Sequence, residues 1–405
     1  LRALLHLGRD RAYIARMDRI APEILDPATP FLADPKALAL CRMLEGAGHV
    51  ALFVGGCVRN AVLGAPASDI DISTDALPDA VMCIAEAAGH RAVPTGIDHG
   101  TVTVVVDDAA FEVTTFRRDV ATDGRRAVVA FSTDLVEDAL RRDFTMNALY
   151  ADRHGVILDP LGGLPDARTG RVRFIEDAGQ RIREDYLRTL RFFRFHAYYG
   201  DDDWDGDALA GISANLDGLE TLSAERVGAE MLRLLGAPDP APAVGVMEQT
   251  GVLQRILPGA VTTLLAPVVH LEGLVNAAPD PITRLAALGG EDVANRLRLS
   301  RKDQKTRDSI QALSVSAWGA KSVGHVGGAQ AGIGAILLRA AMANTPLDPG
   351  VTDDVMTGAK ATFPLAAKDF PDLSGPELGA RLKELKAIWL ASDLAKTKNH
   401  LKASR

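Results

Sequence analysis

A change of character near residue 160 constrains this chain more than any single motif. From about residue 33 to 160, short β-rich runs alternate with helical stretches; beyond that, strand signals fade and Ile182 to Tyr199 keeps a helical period with no Gly or Pro break. Interleaved strands followed by helices alone predict an α+β chain, with a mixed sheet first and an all-α remainder after it. A length of 405 residues agrees, because it exceeds what one core usually holds. Hydrophobic residues at 47% and charged residues at 24% are the balance of an ordinary globular protein. Disorder, collagen and a coiled-coil rod are excluded.

Local signals refine the first region. Asp34-Pro35 is an N-cap and first-turn pair that opens a helix running to the Gly46 to Gly48 stop. His49 to Val54 is a short apolar run ending at Gly55-Gly56, the pattern of a buried strand. Ile70 to Ser73 alternates as a second strand, and Pro78 opens a helix ending near Gly89. Thr101 to Val106 and Phe111 to Thr115, joined by Asp107-Asp108, read as a hairpin. Later in the chain, Pro-rich clusters at 236–242, 258–259, 279–281 and 344–350 punctuate helices, and no fixed-period repeat is present.

Lys and Arg number 45 against 53 Asp and Glu, a formal net charge of -8, which argues weakly against a polyanionic partner. The distribution says more, because positive charge gathers late, in Arg296 to Arg307 and in the run from Arg381 to Arg405. Cys41, Cys57 and Cys83 form neither a paired framework nor a C-x-x-C pattern, which fits a reducing, cytoplasmic location. No apolar run is expected to span a membrane, since the stretch around Ile336 to Met342 is broken by Arg339. Residues 1 to 16 are basic and weakly patterned and stand outside the fold argument, with Met17 as an alternative start.

The chemistry concentrates in four places. Gly55-Gly-Cys-Val-Arg-Asn60 places two glycines between a strand and a helix, where backbone N–H groups can approach a phosphate and Arg59 can add a charged fork. In Ser68-Asp-Ile-Asp-Ile72, Asp69 and Asp71 are two residues apart, so on a strand both carboxylates face one way and can grip a hard cation such as Mg²⁺. A D-x-D pair by itself is more often an acidic surface turn. Glu112, in the neighbouring predicted strand, is a third carboxylate that can complete a metal cluster or help deprotonate a hydroxyl. Arg141-Arg-Asp-Phe-Thr-Met-Asn147 and Glu184 to Arg194 follow, and on one helix Asp185, Arg188, Arg191 and Arg194 recur at i+3. That stripe is either a salt-bridge ladder or a reader of bases. A carboxylate accepts and a guanidinium donates, which matches the amino group and ring nitrogen of cytosine or adenine and mispairs with uracil and guanine. P-loop, G-x-G-x-x-G and EF-hand patterns are all missing.

Together these motifs, in this order from about Gly55 to Arg194, resemble the class II tRNA nucleotidyltransferases, the bacterial-type CCA-adding enzymes, in the family that also holds bacterial poly(A) polymerases. The resemblance implies a polymerase-β-like nucleotidyltransferase head with a mixed sheet, then an all-α neck, body and tail. It implies that Asp69 and Asp71 bind Mg²⁺ and that Gly56, Arg59 and Arg142 contact the nucleotide; Glu112 as a catalytic companion and Gly55 of the same turn are added from the reading of the residues themselves. Asp185 and Arg188 would read the base, and Arg191 and Arg194 would hold the triphosphate. The implied activity is template-independent addition of C, C and A to the tRNA 3′ end from CTP and ATP. Poly(A) synthesis on the same scaffold, or a catalytically silent RNA-binding relative, are the alternatives.

Within that family, Thr95 to Val104 looks like the CCA-adding branch, and the stretch between Asp119 and Asp134 corresponds to an undeleted flexible loop needed for A addition. Asn60 departs from the family's usual Asp and is not counted among the site residues. No His-Asp dipeptide, and hence no appended phosphohydrolase domain, is evident. The expected division is a catalytic head at 33–160, a neck carrying the base-reading helix at 161–235, a body at 236–310 and a tRNA-binding tail at 311–405. No membrane and no obligate protein partner are implied.

Overall fold

A computed structural model describes residues 23–122, 127–201 and 203–404. The chain separates into two compact units, residues 1–218 and 219–405. Met17 and the segment before it lie outside the described residues.

The first unit is built on a seven-stranded mixed sheet in the order β3-β4-β5-β2-β1-β8-β9. Its strands are β1 (Ala51–Val54), β2 (Asp71–Thr74), β3 (Arg91–Gly96), β4 (Thr101–Val106), β5 (Ala109–Thr115), β8 (Tyr150–Ala151) and β9 (Ile157–Leu158). All neighbours are antiparallel except β2 and β5, which run parallel. Every residue of β1 is buried, the mark of a central strand covered on both faces. The expected hairpin is present: Asp107 and Asp108 both take positive φ, 44° and 67°, the backbone of a two-residue turn whose twist suits the strands.

Helices follow their caps. α1 (Pro35–Gly46) starts where the Asp34 carboxylate accepts from the amides of Lys36 and Ala37. α2 (Gly56–Leu63) springs from Gly55, at φ 69° and ψ −119°, a conformation closed to residues with a Cβ. α3 (Pro78–Ala87) begins on its proline. After α4 (Leu135–Leu140) come α5 (Ala178–Glu184) and α6 (Leu187–Tyr199). Phe144, Phe174, Phe192 and Phe195 pack ring against ring and fix α6 to the segment beside the sheet.

Two expectations change here. The stretch between Asp119 and Asp134 is not mainly an irregular loop: β6 (Arg117–Thr122) and β7 (Ala127–Phe131) form an antiparallel ribbon across it. Its β-branched and small residues read equally as loop or as a two-stranded ribbon. The helix expected to run unbroken from Ile182 to Tyr199 is two, because Asp185 is extended at φ −156°, ψ 105°.

Among the described residues no strand follows Leu158, as the fading strand signals predicted. The second unit is helical and includes α7 (Ala224–Leu235), α8 (Pro281–Leu288), α9 (Arg301–Ser314), α10 (Ala320–Ala343), α11 (Val351–Lys360), α12 (Gly375–Ala391) and α13 (Lys398–Ala403). α10 and α11 approach so closely that a Cβ on Gly324 would lie 2.1 Å from the Val355 carbonyl oxygen. By length and composition α10 is a candidate membrane span, which corrects the expectation that Arg339 breaks the apolar run. Its Ile336, Leu337 and Leu338 are buried in the cores of this unit, and Gly328 breaks the helical path at φ 74°. Arg339 is accommodated because its guanidinium donates to the carbonyls of Leu313, Ser314 and Trp318, satisfying the end of α9.

Candidate active site

The sheet register assembles the carboxylates. β2 and β5 are parallel with Asp71 opposite Glu112, so the two side chains stand beside each other on one face. Asp69 differs from expectation in one respect: β2 begins at Asp71, and Asp69 lies in the exposed coil before it. The loop, and not strand alternation, brings it close. Burial, the charge of Glu112 and the charge of Asp69 push the Asp71 carboxyl up to about 6, against the pull of Arg142.

Arg142 completes this cluster. A Cβ on Gly55 would lie 3.5 Å from an Arg142 guanidinium nitrogen, and the same side chain donates to Ser73 Oγ at 3.4 Å. Asp138 holds it there, accepting from Arg142 at 3.1 Å, from Arg141 at 2.8 Å and from the Tyr150 hydroxyl at 2.7 Å. Burial would raise Asp138, but the two guanidiniums and the hydroxyl outweigh it and hold the carboxyl at about 2. Asp138 and Tyr150 were not singled out from the sequence; the i, i+4 spacing of Asp138 and Arg142 was the available signal.

A second cluster lies on the α5–α6 break. The Asp185 carboxylate accepts from the Leu187 amide at the start of α6, which explains why this residue leaves the helix. Arg188 is fixed by the Glu184 carboxylate at 2.5 Å and by the carbonyls of Arg181 and Arg141. Arg191 pairs with Asp143 at 2.6 Å. The guanidiniums of Arg59, Arg191 and Arg194 all lie about the ring of Phe195, at 5.1, 5.4 and 4.8 Å from its centroid.

Arg59 joins the two clusters. It is buried, with Nε and one terminal nitrogen donating to Asn60 Oδ1, the other donating to Asn147 Oδ1, and the ring of Tyr199 stacked 4.2 Å away. Asn147 in turn donates to Asp143 at 2.9 Å, so the Arg141 to Asn147 motif contributes two links besides Arg142. Burial lowers the affinity of Arg59 for its proton, and the Tyr199 hydroxyl opposes that.

Late basic residues divide into two groups. Lys398 and Lys402 pair with Asp369, and Arg381 pairs with Glu384 and donates to the Ser404 carbonyl, so these side chains also fasten α13. Arg301 and Lys305 are exposed and, with Gln304 and Asp308, line a shallow groove of about 490 Å³ along α9.

Among the described residues, no group of three His, Cys, Asp or Glu side chains is arranged to cage a metal alone. Asp71 with its carboxylate neighbours is nonetheless suited to Mg²⁺, which takes one or two carboxylates and fills its octahedron with water and phosphate oxygens. Burial first, and then the repulsion of Glu112 and Asp69, raise Asp71, and both are conditions a bound cation relieves. Burial pushes the thiols of Cys41 and Cys57 up to about 12 and 11, so neither is a thiolate at neutral pH.

A glycine turn, a carboxylate pair on adjacent parallel strands and an arginine-bearing helix define a nucleotidyltransferase head with a helical extension. Residues 51–173 match the family described as "Poly A polymerase head domain", and residues 205–263 match "Probable RNA and SrmB- binding site of polymerase A". A CCA-adding enzyme of Geobacillus thermodenitrificans is 42% identical over 226 residues, covering 55% of this chain and 54% of that protein. The mitochondrial CCA tRNA nucleotidyltransferase 1 of Mus musculus is 30% identical over 397 residues, covering 90% of this chain and 88% of that one. The match thus spans about half the length of the bacterial relative and most of the mouse one. Among solved structures, the Bacillus stearothermophilus CCA-adding enzyme in complex with CTP superposes with a TM-score of 0.70 at 28% identity, covering 90% and 95% of the two chains. A Thermotoga maritima CCA-adding enzyme complexed with tRNA, at 19% identity and TM-score 0.68, shares the fold. The chain belongs to the CCA-adding tRNA nucleotidyltransferase family. Membership implies dependence on a divalent metal.

Proposed function

We propose that this protein adds C, C and A in turn to the 3′ end of tRNA, using CTP and ATP and releasing pyrophosphate. The observation that carries the reading is the register that sets Asp71 beside Glu112, next to Arg142 and the Gly55-Gly56 turn. Asp69 and Asp71 would hold Mg²⁺, which supplies Lewis-acid activation of the attacking hydroxyl and neutralises phosphate charge. Glu112, opposite Asp71, would take the proton of the 3′-hydroxyl. The Gly55 N–H is taken by the Leu149 carbonyl, so the donors to the triphosphate would be the Gly56 amide and the guanidinium of Arg142, with Arg191 and Arg194 offsetting its charge from α6. Asp185 accepts from the amino group of cytosine or adenine while Arg188 donates to the ring nitrogen, so selection needs no template. Held by Glu184 and two carbonyls, Arg188 presents its donors without searching rotamers.

The finer partition into head (33–160), neck (161–235), body (236–310) and tail (311–405), and a cytoplasmic location, belong to the same reading. The exposed side of α9 would meet tRNA phosphates, and that contact should weaken with salt. The deciding experiment incubates the protein with tRNA lacking its 3′ end and each labelled NTP in turn. Addition of two C and one A is expected. Long A tails that ignore CTP, or no addition at all, would reject the proposal.

A further inference from the structure

Asn60 ends a buried chain of hydrogen bonds that begins on α6. Arg191 donates to Asp143, Asn147 donates to Asp143 and accepts from Arg59, and Arg59 donates twice to Asn60 Oδ1. The last link is Asn60 Nδ2, which donates to the Pro66 carbonyl at 2.7 Å. Beyond Pro66 the loop folds over the start of α2, so closely that a Cβ on Gly56 would sit 3.0 Å from Ser68 Oγ. Asp69 is the next residue.

These partners fix both the orientation of the amide and the residue type. Two donors of Arg59 face the Asn60 oxygen and the Pro66 carbonyl faces the Asn60 nitrogen, so with the loop placed as it is here a side chain with an acceptor on one side and a donor on the other serves both. The family's usual Asp would meet Arg59 equally well, but against the Pro66 carbonyl as this chain places it a carboxylate would turn oxygen toward oxygen. Asn60 is 6% exposed, so water cannot easily replace the lost donor.

We propose that Asn60 is a positioning residue: its amide ties the 65–69 loop, and with it Asp69, to the hydrogen-bonded chain that also orients Arg191. The proposal rests on the nucleotidyltransferase reading for its catalytic consequence, but not for its structural one. Two variants separate the roles. Asn60→Asp keeps size and the Arg59 contact and removes only the donor; Asn60→Ala removes both contacts and brings no repelling oxygen. The first readout is amide hydrogen exchange of the peptide covering residues 64–70 in the full-length protein. Exchange at least tenfold faster in both variants is expected, with α6 unchanged in Asn60→Asp. The second readout is Mn²⁺ binding in the presence of CTP, followed by electron paramagnetic resonance, where a several-fold weaker affinity is expected in Asn60→Asp, which keeps the Arg59 contact, with its KM for CTP within twofold. Unchanged exchange in Asn60→Asp overturns the proposal, and so does faster exchange with unaltered Mn²⁺ affinity. If the wild type adds no nucleotide, the functional reading fails while the exchange comparison still decides the role of the amide.

Discussion

Replacing Asp138 by Asn tests how the head fixes its nucleotide-side arginine. The carboxylate is fully buried and takes all its hydrogen bonds from donors: Arg141 on Oδ1, and Arg142 and the Tyr150 hydroxyl on Oδ2. Its partners hold the carboxyl at about 2 instead of the usual 3.8. That depression corresponds to about 2–3 kcal/mol of stability at neutral pH. Asparagine also turns an N–H₂ toward one set of donors and leaves a buried donor unpaired, which adds about 1–3 kcal/mol. The expected loss at pH 7 is therefore about 3–5 kcal/mol, or a fall in the melting midpoint of the first unit by about 8–15 °C. Because the folded pKa lies below the unfolded one, the charge part is present above pH ~4 and disappears as pH falls through 2. Urea titrations of both proteins at pH 7, 4 and 3 should show the gap between them narrowing on acidification, and the KM for CTP should rise as Arg142 loses its orientation. A gap below 1 kcal/mol at pH 7, or one that does not shrink at pH 3, would refute the argument.

Three further outcomes are expected. Asp71→Ala should abolish nucleotide addition with the melting midpoint retained, and Asp71→Asn should raise metal-free stability by about 1–2 kcal/mol, because it removes a carboxylate repelled by Glu112 and Asp69; near-normal turnover in the first, or lower stability in the second, defeats the assignment. Arg188→Ala should let UTP and GTP compete with CTP and ATP in single-turnover assays, and unchanged discrimination across the four would remove the base-reading role. Arg339→Leu should cost about 2–4 kcal/mol by stranding the carbonyls of Ser314 and Trp318, while that of Leu313 keeps the Ser316 amide and hydroxyl; a urea midpoint equal to wild type would show that water satisfies them instead.

Much of the head was legible because its local signals agree with its tertiary environment. Asp34-Pro35, the Asp107-Asp108 turn and Pro78 each dictate a backbone state that no distant contact has to impose. The break at Asp185 was not legible, because one extended residue leaves the apolar period nearly intact while redirecting the helix. The placement of Asp69 before β2 was missed for a related reason, since a two-residue spacing reads as a strand whether or not pairing reaches that far. Arg339 looked like an interruption because hydropathy ignores whom a guanidinium bonds; two carbonyls at the end of α9 and that of Trp318 just beyond make it a fastening. Arg59 and Arg142 were found as motif residues, and Asp138 stands a local i, i+4 step from Arg142, but their other partners, Asn147, Tyr199 and Tyr150, come from elements that only the fold juxtaposes.

The parallel pairing of β2 with β5 also sets a date in the life of the chain. Asp71 and Glu112 are about forty residues apart, and α3, β3 and β4 must be threaded before their strands can meet. The hairpin of β4 and β5 closes locally and early, whereas the β2–β5 seam is a long-range contact whose closure is entropically late. A partly synthesised or partly collapsed chain therefore carries the two acids but not the pair. If that pair holds the metal as proposed, capture would wait until the sheet is finished, and its appearance during refolding should coincide with the slowest structural phase of the head.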